Sequence, residues 1–132
     1  MAIYDKVLTY SAWVGQTNYL EYDRTLRLKL ESGAMAFIAF QKVRPQQWLS
    51  FSPSGTTLYM SIDQYDDVYH LLQTERPVFF TALKLLGLYV GAVHTELDLT
   101  AGEPTGEGYD DKGLEVLIVQ ARNQSELTDA EG

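Results

Sequence analysis

The chain has 132 residues, 45% hydrophobic, 21% charged and 12% aromatic, which suits one domain with a buried core and excludes disordered, collagen-like and low-complexity classes. Eighteen acids against ten bases give a net charge of −8 and an isoelectric point near 4.6, a balance that does not favour polyanion binding by the chain as a whole. The absence of cysteine excludes disulfides, thiol nucleophiles and cysteine metal sites.

Residues 3–14, rich in Tyr, Val, Leu and Trp, predict a first strand. Leu26, Leu28 and Leu30 then alternate with Thr25, Arg27, Lys29 and Glu31, the period of a half-buried strand. Ser32-Gly33 predicts a two-residue turn, with a return strand from Met35 to Val43. Pro45-Gln46-Gln47 breaks that strand. Trp48 to Ser52, a turn at Pro53-Ser54-Gly55, and Thr57 to Ile62 complete an expected four-stranded meander.

A helix is expected next. Ser61 is the N-cap, with Gln64 as the reciprocal partner of a capping box. Asp63, Asp66 and Asp67 suit the positive end of the helix dipole. Tyr65, Val68, Tyr69 and Leu72 form one apolar stripe, and Pro77 ends the helix by about residue 75. After it, Val78–Leu85 and Leu88–Leu97 read as a hairpin turning near Gly87. The competing reading, one buried helix, would place Gly87 and Gly91 in its interior at about 1 kcal/mol each. The apolar run 77–93 is read as core rather than a membrane span, because Lys84 stands in its middle. Residues 100–113 are a loop by composition, and Leu114 to Ala121, apolar on both faces, reads as a covered strand. The expected fold is therefore α+β: mainly an antiparallel β meander of about six to eight strands, with one helix near 62–74. One globular domain spans 1–122, followed by a polar acidic tail over 123–132.

The charge is segregated. Residues 96–132 hold ten acids and two bases, so residues 1–95 are neutral overall. A basic segment, Arg24, Arg27, Lys29, Lys42 and Arg44, lies within the neutral part. Catalytic groupings are sparse. His70 and His94 are the only histidines, and His94 alternates with Glu96 on an expected strand. Asp66-Asp67 and Asp110-Asp111 match no metal-binding spacing, and the glycine-rich run 102–108 carries two glutamates where a phosphate loop needs a lysine. A non-enzymatic protein without cofactor or metal is expected. No signal peptide is visible, so the expected location is cytoplasmic, with no membrane partner.

The hairpin of residues 24–44 carries the most chemical information. With a two-residue turn, Arg27 pairs with Ile38 and Lys29 with Ala36, so Arg27, Lys29, Ile38, Phe40 and Lys42 share a face. Cations beside a ring on a sheet surface suit single-stranded nucleic acid, with cations for phosphates and rings for bases. The strand Thr57–Ile62 running directly into a capped amphipathic helix resembles the strand-to-helix unit of the PC4/Whirly-type single-stranded DNA-binding fold, over residues 24–74. That resemblance implies the same ligand class. The favoured expectation is a binding or assembly module that recognises a protein partner or itself, because an open meander must cover or pair its edges. The alternative is single-stranded nucleic-acid binding through Arg24, Arg27, Lys29, Ile38, Phe40, Lys42 and Arg44.

Overall fold

The computed structural model describes residues 2–16, 22–42, 49–85, 87–96 and 117–125. Its strands are β1 (Ala2–Val14), β2 (Tyr22–Leu30), β3 (Met35–Gln41), β4 (Leu49–Ser52), β5 (Gly55–Ser61), β6 (Val78–Leu85) and β7 (Leu88–Thr95). A 3₁₀ turn, Ile62–Gln64, leads from β5 into α1 (Tyr65–Thr74), and residues 117–125 are helical (α2). No helix among the described residues is long and apolar enough to cross a membrane.

The α+β class holds, but the sheet is mixed rather than an antiparallel meander. Its order is β4-β5-β3-β2-β1-β6-β7. Pairing is antiparallel throughout except at β3 and β5, which run parallel from Ala36↔Thr56 to Gln41↔Ser61. The longer β5 brings buried Thr56 and Leu58 to the core and takes the inner place beside β3. The four-residue β4, with exposed Ser50 and Ser52, takes the edge, where a short strand offers little to foreign pairing.

β1 belongs to two sub-sheets. Ala2–Lys6 pair with β6, and Val7–Val14 pair with β2, with a bulge between Val7 and Thr9. The bulge bends the strand, and the sheet curls until β7 meets β5. Gly91 marks the meeting point: a Cβ there would overlap Leu58 Cδ1, so only glycine lets β7 approach this closely. The result is nearly barrel-shaped, with Leu26, Leu28, Leu30, Ile38, Phe40, Leu58, Val78 and Phe80 buried inside.

α1 closes this core with the stripe that its spacing predicts. Tyr65, Val68 and Leu72 are buried, and the Tyr65 ring meets Phe40 edge-on at 5.0 Å. Ser61 caps the 3₁₀ turn by accepting from the Asp63 N–H at 3.4 Å. Gln64 makes no side-chain cap bond, so the expected capping box is only half present. Arg76 Nη1 donates to the Leu72 carbonyl at 2.8 Å and satisfies one of the last carbonyls of the helix.

The hairpin after Pro77 forms as expected, with Val78↔Thr95 through Leu85↔Leu88 in register and Gly87 in the turn at φ 81°. The expected strand at Leu114–Ala121 is corrected: residues 117–121 are helical, and the helix continues to 125, across the start of the expected tail. Leu117, Ile118 and Ala121 follow helical spacing, and buried Ala121 packs on Leu83 and Val90. A short run apolar at nearly every position fits both periods, and here the face offered by β6 and β7 selects the helix. Val43, Trp48, Leu97 and the loop 100–113 lie outside the described residues.

Candidate functional site

The β2–β3 turn is one residue longer than its sequence predicts, and this decides which side chains face outward. Leu30 N–H donates to the Ala34 carbonyl at 3.0 Å, and Gly33 N–H donates to the Leu30 carbonyl at 3.0 Å. Glu31-Ser32-Gly33 is therefore a three-residue loop, with Gly33 in the left-handed region at φ 94°. The pairing becomes Leu26↔Ile38, Arg27↔Phe37, Leu28↔Ala36 and Lys29↔Met35. A slip of one residue turns every side chain of β3 over.

Two expected site residues are thereby removed. Ile38 and Phe40 are fully buried in the core, where no ligand in solvent can reach them. Arg24 also leaves the group. It lies in the row of Phe40, on the core side, with its guanidinium 5.1 Å from the Tyr65 ring centroid. Lys42 is exposed just past the end of β3, and Arg44 lies outside the described residues. Arg27 and Lys29 remain, exposed on the outer face.

Different rings join them. Trp13, Thr25, Ala39 and Tyr59 form one row across β1, β2, β3 and β5, and Ser11, Arg27, Phe37 and Thr57 form the next. Trp13 is 45% exposed, and Phe37 and Tyr59 are half-buried. The Arg27 guanidinium lies 5.5 Å from the Phe37 ring centroid, a cation–π contact. Trp13 and Tyr59 stand three strands apart, about 14 Å at ordinary strand spacing. Between them lies a shallow groove of about 410 Å³, floored by Thr25, Ala39 and Phe37 and flanked by Arg27. Neither α1 nor α2 packs here: α1 lies on the core face, and α2 covers β6 and β7. A second concavity of about 360 Å³, near Ala2, Met35 and Phe51, is lined by no charged residue among the described ones.

The histidines are placed differently. His70 is exposed on α1. His94 stacks on Phe79 with ring centroids 6.1 Å apart, and the Tyr4 ring lies 5.7 Å away. Its Nδ1 sits 2.7 Å from the Thr95 carbonyl, and its Nε2 sits 2.6 Å from Thr81 Oγ1. A carbonyl only accepts, so Nδ1 carries the proton and Nε2 accepts from the threonine hydroxyl. A hydroxyl bonded to imidazole is half of a nucleophile–base pair, but Thr81 is fully buried. Among the described residues, no three His, Asp or Glu side chains converge as metal ligands would.

Desolvation by burial holds the His94 pKa below its ordinary 6.5, against an opposing contribution from the Thr95 hydrogen bond. The unfolded chain thus binds this proton more readily than the folded one, so stability falls as pH drops below about 6.5. Urea midpoints measured from neutral to mildly acidic pH are expected to fall for the parent chain. A His94→Gln chain should lose part of that slope. Comparison of the chain with family models, curated proteins and solved structures finds no match.

Proposed function

We propose that the chain is a non-enzymatic binding module that holds single-stranded nucleic acid on the outer face of β1, β2, β3 and β5. One observation carries this reading: Arg27 stands beside the rings of Trp13, Phe37 and Tyr59, with Lys29 two positions further along β2 on the same face. No carboxylate belongs to the two rows that hold these rings. Two strand positions span about 6.8 Å, a step suited to successive phosphates of an extended strand. Rings beside such a cation track stack bases without regard to sequence. The acidic excess does not oppose this locally, because residues 1–95 are neutral overall.

Anisotropy of a labelled oligothymidylate, titrated at low and moderate salt, tests the reading. The parent chain should bind, with affinity falling as salt rises. Arg27→Ala combined with Lys29→Ala should lower the slope of log K against log salt by about 1.4, the share of two phosphates on a single strand. No binding at low salt refutes the reading. Self-recognition rests on a separate feature, the edge of β1 that no described strand pairs.

A further inference from the structure

Among the described residues, Val7–Val14 of β1 have a strand partner on one side only. β2 runs along that side from Val7↔Leu30 to Val14↔Arg24, whereas pairing with β6 stops at Lys6↔Phe79. Beyond that point no strand among the described residues meets the second edge. Alternate residues hold their backbone N–H and C=O groups toward it. α1 touches this stretch where the Tyr69 ring meets Tyr10 edge-on at 5.9 Å, but a cleft of about 200 Å³ remains between Val7–Tyr10 and Leu72, Arg76 and Val78.

The same stretch gathers the exposed apolar surface. Among the described residues, the large hydrophobic side chains that stand exposed are Leu8 (49%), Trp13 (45%) and Val14 (62%), all on β1. Residues 7–16 contain no charge and no proline. Lysines, prolines and inward charges are the usual means of keeping an edge unpaired, and none is present here. The bulge near Leu8 protects one end only.

We propose that this edge pairs antiparallel with the same edge of a second copy of the chain, about a two-fold axis at Ser11. Charge identifies the occupant. Two copies paired along residues 7–16 bring no like charges opposite each other, because that stretch is uncharged, whereas the acidic excess of each chain lies in residues 96–132. A charged partner strand would find nothing there to complement it. The register follows from covering the exposed groups. Centring on Ser11 sets Leu8 opposite Val14 of the second copy and Trp13 opposite its Thr9, each contact occurring twice as a two-fold interface requires. Ser11 then faces its own copy. This inference uses the edge of β1, whereas nucleic acid would use the face, and it stands without the nucleic-acid reading.

The chain has no cysteine, so a single introduced thiol reports the geometry directly. Opposed Cα atoms in an antiparallel pair lie about 4.5–5.5 Å apart, within disulfide range. Mild oxidation should link Ser11→Cys chains into dimers rapidly, while Gln73→Cys, exposed on α1, should stay largely unlinked. Light scattering from micromolar to submillimolar protein should show the parent chain dimerising. Val14→Lys, at a position already 62% exposed, should weaken the dimer about tenfold or more while circular dichroism stays unchanged. A parent chain that is monomeric throughout overturns the proposal. So does a dimer in which Ser11→Cys links no faster than Gln73→Cys.

Discussion

A Phe40→Ala chain should unfold about 3–5 kcal/mol more easily than the parent, read from urea titration. Phe40 is fully buried, and its ring meets Tyr65 edge-on at 5.0 Å, so truncation opens a cavity between β3 and α1. Phe37→Ala, three positions earlier, should behave in the opposite way. Phe37 is half-buried on the outer face under the Arg27 guanidinium, so its loss of stability should be much smaller. Its loss of oligonucleotide affinity should be about 1–3 kcal/mol, the share of one stacked base. The pair tests the register itself. With a two-residue turn Phe40 would face solvent and Phe37 the core, and the two outcomes would exchange.

The second large effect is expected at Gly91. Valine suits a strand by propensity, yet Gly91→Val should destabilise the chain by about 1–3 kcal/mol, because its branches must enter space held by Leu58. Leu58 is 1% exposed and cannot move outward. Leu58→Ala alone should cost about 2–5 kcal/mol. The double variant should cost less than the two together, with a coupling of about 0.5–3 kcal/mol, because the methyl groups added at one position occupy room vacated at the other. Strict additivity would mean that β7 and β5 do not bear on each other here.

How far the sequence could be read depended on whether one period excluded the other. In β2 the alternation of Leu26, Leu28 and Leu30 with Arg27 and Lys29 permits one orientation, and those cations are where the pattern puts them. In α1 the spacing of Tyr65, Val68 and Leu72 was equally decisive. β3 is different. Met35 to Phe40 is apolar at every position, so either face could be buried, and its register rested on a turn whose length differs by one residue from the commonest hairpin loop. That single residue exchanged Ile38 and Phe40 for Phe37 and Ala39 on the outer face. Trp13 and Tyr59 could not be added from local pattern, because their places beside Arg27 depend on pairing between strands far apart in sequence. The parallel pairing of β3 and β5 was likewise invisible, since adjacency of strands is not written in their periodicity. The run at Leu117–Ala121 failed for the same reason as β3: too few polar positions to choose a period.

The sharing of β1 between two sub-sheets bears on how the molecule is made. Val14 finds its partner Arg24 ten positions later, but Ala2 must wait for Leu83 and Lys6 for Phe79. Pairings this distant in sequence carry a high loop-closure entropy and slow folding. At ordinary synthesis rates of about 5–20 residues per second, roughly 4–15 s separate the emergence of this half-strand from that of its partner. Through that interval a strand-forming segment, Ala2–Lys6, stands open to other nascent chains. The strand that joins the two halves of the sheet thus emerges well before β6 and is among the last to be secured, and substitutions in Ala2–Lys6 should alter folding yield in cells more than they alter the stability of the finished protein.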